Sequence, residues 1–429
     1  MKTMKAVVLT GFFLNLASQA VANPTITRLD GTVSESNTLT IVGERFSEKE
    51  HQKPLVWWKA DLGGNPSSHG RTQVWSKSVS GEPSTEHVSD GSMQAFRFDH
   101  GESSGTAIGE ILFDSDRIYL NRKMMTDFDV RRNLALRSRV TNIQGGSFKV
   151  GDLVRGEESG ATAVISQIIE SANRTELFFS GEGGSVNDAA APLDFRYGEI
   201  MSAGNVSATN VEGSENYPTG LFRTFNFKTI RFWGDAGNNI FLGTQGAETN
   251  QYRLTAERTG GGTRWPDDLE FPYAQEKQEW VHEEVIYKSS TVGESDGLWL
   301  FEVNGKAVHN DPITTVTEAH NSRYNRIAQS QVSNGAQPES WVYYDSIYID
   351  DSWHRVVLCE ESEWSECSKK EIQIPQTWSD SRIDIIVNLG IFHDSDNIYF
   401  YVVDSDGNAN SRGYGVCLKC PSQTEVSIE

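Results

Sequence analysis

The stretch Thr38-Leu39-Thr40-Ile41-Val42-Gly43-Glu44-Arg45-Phe46 alternates apolar and polar residues and then meets a glycine, the pattern of a half-buried strand running into a turn. Pro24-Thr25-Ile26-Thr27-Arg28-Leu29-Asp30-Gly31 precedes it and Pro54-Leu55-Val56-Trp57-Trp58 follows, so the segment opens a small β-domain and stops before a sandwich can close. Comparable strands recur only near the other end of the chain: Glu371-Ile372-Gln373-Ile374-Pro375, Ile383-Asp384-Ile385-Ile386-Val387-Asn388 and Ile398-Tyr399-Phe400-Tyr401-Val402-Val403-Asp404. The two ends therefore read as halves of one domain, residues 23–59 and 353–429, and what lies between reads as an insertion.

The composition agrees with a β protein. The chain has 429 residues, 37% hydrophobic and 23% charged, enough for one large core or two smaller ones. Tryptophan (11), tyrosine (13), phenylalanine (20) and glycine (38) are plentiful and helical periodicity is scarce, so the predicted class is all-β, of sandwich type.

Residues 1–22 read as a signal peptide: Lys2 and Lys5 form a basic start, Ala6 to Leu16 is mostly apolar, and Ala20-Val21-Ala22 offers small residues for cleavage. That places the mature protein outside the cell, secreted or at the cell surface. The apolar run is short for a bilayer span and contains Asn15, and no later segment is long and apolar enough to cross. Losing Lys2 and Lys5 takes the formal charge from -21 to -23. A surface so acidic disfavours nucleic acid, which needs clustered Lys and Arg. It suits a soluble exported protein; an acidic calcium site is the alternative, and an anionic polysaccharide would require a locally basic groove.

All four cysteines lie near the end: Cys359, Cys367, Cys417 and Cys420. In an exported chain they predict disulfides, with three possible connectivities. Cys359 with Cys367 across a short turn is the first choice, which leaves Cys417 with Cys420. A zinc site is the rival, although the spacing of the first pair does not suit one.

The motif Thr40-Ile41-Val42-Gly43-Glu44-Arg45-Phe46 resembles the opening of bacterial immunoglobulin-like domains of the IPT/TIG type, and residues 371–416 resemble their closing strands. The inserted region, residues 60–352, resembles concanavalin-like and laminin-G-like jelly rolls and the jelly-roll polysaccharide lyases. It carries a W-x-x-x-E strand (Trp280 to Glu284), a strand ending Val303-Asn304-Gly305, and Tyr344-Asp345-Ser346-Ile347-Tyr348-Ile349-Asp350. Within it, residues 147–201 resemble a small β-module of phage and bacterial surface proteins. It opens Phe148-Lys149-Val150-Gly151-Asp152, continues through Ser159-Gly160-Ala161-Thr162-Ala163, and closes Gly198-Glu199-Ile200. The fold expected is thus a jelly roll, a smaller immunoglobulin-like sandwich built from both chain ends, and a β insertion module.

The resemblance implies a glycan ligand, and particular residues fit one. Alternation on strand 279–287 puts Trp280, His282 and Glu284 on one face, where an indole can stack on a sugar and the polar pair can bond or move protons. Arg231 with Trp233, Arg137 with Arg139, and Tyr252, Trp299 and Tyr343 lie on segments expected in the same sheet. A uronate lyase would need a cation for the sugar carboxylate and a base for the adjacent proton, roles open to Arg231, His282, Tyr252 and Tyr343. The remaining residues would bind substrate. Asp345, Asp350 and Asp351 are the calcium alternative; no cofactor is otherwise implied.

Other chemistries lack their signatures. Glu283 and Glu284 are adjacent and point to opposite faces, unlike a glycosidase pair, and no G-x-S-x-G, P-loop or H-E-x-x-H occurs. Three functions remain: an exported protein binding a polysaccharide or cell-surface glycan on the concave face of a jelly roll, a polysaccharide lyase acting by β-elimination, and a structural surface or phage-associated adhesin.

Overall fold

The computed structural model describes residues 23–71, 74–79, 81–99, 108–127, 135–171, 174–179, 184–187, 193–216, 220–224, 227–244, 252–264, 278–331 and 341–420. The signal-peptide reading, residues 1–22, lies outside the described residues. Among the described residues the protein is all-β: antiparallel strands and short 3-10 turns, with no α-helix. No described helix is long and apolar enough to cross a membrane.

Strands from both ends of the chain form one seven-stranded path. Thr25–Asp30 pairs with Thr38–Glu44, which pairs with Arg382–Ile386; then follow Glu371–Trp378, Arg355–Cys359, Asn397–Val403 and Tyr414–Cys417. The register Leu39↔Ile385 and Ile41↔Ile383 puts the apolar halves of both alternations on one side. They pack there with Val356, Leu358, Trp378 and Phe400 in a single core. Cys359 is bonded to Cys367, and Cys417 to Cys420, within this terminal domain. Val56–Trp58 departs from the sequence reading. It pairs with Trp341–Asp350 of the jelly roll because Trp58 is buried edge-on against Phe96, at 5.6 Å between rings.

The jelly roll has two sheets. One, eight-stranded, runs Lys306–Ile313, Gly297–Val303, Val281–Lys288, Arg117–Thr126, Trp341–Asp350, Ala95–Asp99 and Glu82–Ser84, with Val56–Trp58 added to Trp341–Asp350. The other, seven-stranded, runs Gly262–Arg264, Tyr252–Glu257, Asn239–Thr244, Phe227–Gly234, Tyr324–Gln331, Ile108–Leu112 and Trp75–Val79. Between them an aromatic core locks edge to face: Phe232 meets Tyr287 and Trp299, each at 5.2 Å, and Tyr252 meets Phe301 at 5.1 Å. One ion pair is buried in this core. Arg122 bonds Glu283 at 2.7 Å, and the Tyr252 hydroxyl donates to the same carboxylate.

The insertion module is larger than residues 147–201. Its strand order is Arg174–Phe179, Thr162–Ser171, Leu153–Gly156, Ile200–Ala203, Val206–Asn210 and Ala135–Gln144, and the last pairs back with the first to close a barrel. Phe222–Thr224 adds to the Ala135–Gln144 strand. The Gly198-Glu199-Ile200 ending has a specific job in it. Glu199 is buried and accepts from the backbone N–H of Glu158 (3.1 Å) and Ser159 (3.0 Å), from the Ser159 hydroxyl (2.9 Å) and from the Arg196 N–H. It thereby ties the Ser159-Gly160 turn to the neighbouring turn at Arg196–Glu199, at the same end of the barrel. Glu199→Ala would strand these donors and is expected to destabilise the protein by about 3 kcal/mol, measured by urea unfolding; a loss below about 0.5 kcal/mol would show that the turn holds without it.

Candidate functional site

The outer face of the seven-stranded sheet carries an unusual charge. Lys228, Gly243 and Arg253 stand in register across three strands, and Arg231, Phe241 and Thr255 form the next row. A third row is Trp233, Asn239 and Glu257. Paired residues share a face, so the rows make one surface. Its sides are cationic and aromatic, and Gly243 places no side chain between Lys228 and Arg253. Ala328, opposite Arg231, keeps the next strand low as well. The Lys228 ammonium lies 4.3 Å from the centre of the Phe241 ring, the Arg253 guanidinium 5.7 Å from the same ring, and the Arg231 guanidinium 5.5 Å from Trp233.

The electrostatics follow from this crowding. Burial, then the Arg231 guanidinium, with Arg253 also contributing, push Lys228 below the usual lysine range against the pull of Glu257. Burial likewise lowers Arg231 and Arg253, each opposed by Glu257. Burial disfavours the charged form of all three, and at Lys228 the two guanidiniums add repulsion that an incoming anion would relieve.

The strand Val281–Lys288 alternates as the sequence implies, but its polar row faces the terminal domain. Val281, Val285 and Tyr287 enter the jelly-roll core with Glu283, while Trp280, His282 and Glu284 point outward. Glu284 is closed off: it accepts from Lys370 at 2.7 Å and from the Tyr119 hydroxyl at 2.6 Å. Burial alone would raise its pKa; Lys370, helped by His282 and Arg355, outweighs burial and holds it at about 2. His282 accepts from the Asn121 amide at 2.6 Å through Nε2, which leaves the proton on Nδ1. Burial, with Lys123 and Lys370, lowers its pKa and keeps the ring neutral at pH 7. Trp280 and His282 line a cleft of about 890 Å³ between the two domains.

The proposed residues do not converge on one groove. Arg231 and Trp233 are on the outer face of one sheet, His282 and Trp280 on the outer face of the other. Tyr252 and Trp299 are fully buried between the sheets, where no glycan reaches them. Burial and Glu283 raise the Tyr252 phenol well above its ordinary value, so it is no base at neutral pH. Tyr343 is also buried, edge-on to His87 at 5.3 Å. Arg137 and Arg139 belong to the barrel and engage Glu176 and Glu212, with Arg139 at 3.0 Å from Glu176. Alternation along a strand gives its faces but not its neighbours, which is why residues with the right chemistry land in four different places.

The acids of the calcium alternative are occupied by protein donors. Asp345 accepts from the Ala60 N–H (2.9 Å) and from the Ser89 and Ser92 hydroxyls; Asp350 pairs with Lys49 at 2.8 Å; Asp351 pairs with Arg71 and, at 3.2 Å, with His51. The grouping Cys359, Glu361 and Cys367 has its two thiols consumed in a disulfide.

Lys228, Phe241 and Arg253 are not legible as site residues from the sequence alone. Arg253 follows Tyr252 on a strand that had been singled out, and alternation alone would have turned it outward once Tyr252 was inside. Ile240-Phe241-Leu242 is continuously apolar and gives no alternation to read.

No family model matches the chain, and no curated protein matches it. Solved structures with a similar arrangement include an alginate lyase from Aplysia kurodai, at 10% identity, covering 69% of this chain and 98% of that one, with TM-score 0.33. An endo-β-1,4-glucuronan lyase from Trichoderma reesei has 10% identity, coverage of 68% and 94%, and TM-score 0.28. A carbohydrate esterase from the Shiga toxin-encoding bacteriophage phi24B has 9% identity, coverage of 69% and 97%, and TM-score 0.30. Likenesses this distant concern architecture and carry nothing about substrate.

Proposed function

We propose that this protein binds an acidic, uronate-type polysaccharide on the outer face of the seven-stranded sheet, between Lys228, Arg231 and Arg253. The observation that carries this reading is the clustering of three cations around Phe241 and Trp233, with Glu257 beside them, in a chain whose formal charge is -21. Guanidinium groups match a sugar carboxylate in a fork geometry, and the half-buried Trp233 ring suits the apolar face of a pyranose, while the buried Phe241 holds the cations in place. Calorimetric titration with oligomers of a polyuronate tests it. Binding that weakens as salt rises is expected; equal affinity for a neutral oligomer of the same length would refute the reading.

Lys228 favours a second reading at the same face, cleavage by β-elimination. A lysine with a lowered pKa beside two guanidiniums could take the proton next to a neutralised carboxylate while the bond to the neighbouring sugar breaks and a double bond forms. Incubation with the polyuronate should then raise the ultraviolet absorbance of unsaturated uronate ends, and Lys228→Ala should abolish the rise. Binding without any rise would leave a binding protein.

A further inference from the structure

The cleft between the jelly roll and the terminal domain is separate from that face, and its chemistry is different. Lys123 pairs with Glu371 at 2.8 Å, and Lys370 with Glu284 and Glu302 at 2.7 and 2.9 Å, so the ammonium groups at its base are already matched. His282 is neutral at pH 7. Asp90, Glu279, Glu360 and Asp394 also line it against one further ammonium, Lys369, so the lining is acidic on balance and unfavourable to an anion.

What the walls offer is suited to hydroxyl groups. The Trp280 ring lines the cleft and is fixed by its Nε1–H, which donates to the His87 carbonyl at 3.2 Å. The His282 Nδ1–H has no partner among the described residues. Asn304 uses its amide oxygen to accept from the His282 backbone N–H at 2.9 Å, which leaves its Nδ2 hydrogens available. A flat aromatic surface, neutral donors and a carboxylate acceptor are the groups that recognise an uncharged sugar.

The cleft is also preformed. Asn304 (φ 49) and Gly305 (φ 74) make a left-handed turn, and a Cβ on Gly305 would lie 2.2 Å from the Ser368 carbonyl oxygen. On the other wall a Cβ on Gly91 would lie 2.8 Å from the Gly390 carbonyl oxygen. Backbones from the two domains touch on both sides, and the buried ion pairs fix the base, so little ordering remains to be done on binding.

We infer that this interdomain cleft is a second binding site, for a neutral saccharide, independent of the uronate-binding face. The test is calorimetric titration of the full chain with cellohexaose, laminarihexaose and mannohexaose, in low and high salt. At least one should bind with an affinity insensitive to salt and undisturbed by excess oligouronate. Trp280→Ala should weaken it on the order of tenfold. Asn304→Asp keeps the acceptor and the turn but removes the amide donors, and should weaken it about fivefold; it serves if Trp280→Ala fails to fold by circular dichroism. Binding of none of the three hexaoses, displacement by oligouronate, or affinities unchanged in the folded variants would overturn the inference. A failure of uronate binding alone bears on the sheet face and leaves these outcomes readable.

Discussion

Replacing Arg231 and Arg253 together with alanine is expected to cut affinity for an oligouronate by a factor of about 10² to 10⁴. A hydrogen bond to a charged group contributes about 1.5–3 kcal/mol, and two such losses sum to about 3–6 kcal/mol. The two arginines are not redundant, because they stand in successive rows of the sheet, Arg253 beside Gly243 and Arg231 beside Phe241. Each can address a different carboxylate along an extended chain. Arg253→Lys should recover only part of the loss, since the ammonium keeps the charge but not the planar fork. Titration of both variants beside the wild type decides the matter: a double variant within threefold of wild type would remove this face from the function. Both side chains extend outward from a sheet whose core faces the other way, so the fold should survive their truncation.

Lys370→Ala is expected to destabilise the protein by about 3–5 kcal/mol, because it leaves the Glu284 carboxylate buried without its cation. Lys370 belongs to the terminal domain and Glu284 to the jelly roll, so the cost should appear as loosening between the two. The pH dependence follows from the shifts. The Glu284 carboxyl is depressed to about 2 in the folded protein, against 4.5 for the free side chain. Its contribution is therefore complete above about pH 4.5 and is lost as pH falls toward 2. The Lys370 ammonium is raised: burial opposes the shift, and Glu284 and Glu302 outweigh it, so its contribution is complete below the free value of 10.5 and is lost as pH rises from there through its folded pKa. Urea unfolding followed from pH 7 to pH 2 should show wild-type stability dropping through the acid window, with a shallower slope in Lys370→Ala. An unchanged slope would show that the pair does not couple the domains.

Much of this organisation can be read in the sequence, and the limits have a physical origin. The alternation of Leu39 and Ile41 matches that of Ile383 and Ile385, and one domain needs both. The two faces of strand 279–287 follow from period two alone. Arg122 is different: an arginine between Asn121 and Lys123 looks exposed, yet it is fully buried with Glu283 because its strand is central to the sheet. Arg137 and Arg139 sit on a strand as regular as any in the jelly roll, and only the pairing with Arg174–Phe179 assigns them to the barrel. The cationic face of the seven-stranded sheet is half legible in the sequence, in Arg231 and Trp233. Its other half depends on Gly243 aligning Lys228 with Arg253, a matter of register rather than composition.

The pairing of the first strands with the last also sets an order of events in time. The Thr40 hydroxyl donates to Asp384 at 2.6 Å across 344 positions of chain. Until the carboxy-terminal strands are made, Thr25–Asp30 and Thr38–Glu44 have only each other, and a lone two-stranded hairpin is marginal in water. Contacts this distant in sequence are slow to form, because the entropy of closing so large a loop is lost before they can compensate. A folded jelly roll shortens that search by holding its entry and exit points close together. The inserted domains would therefore fold first, and the strands Thr25–Asp30 and Thr38–Glu44 would be among the last to find their places although they are synthesised before the domains inserted after them.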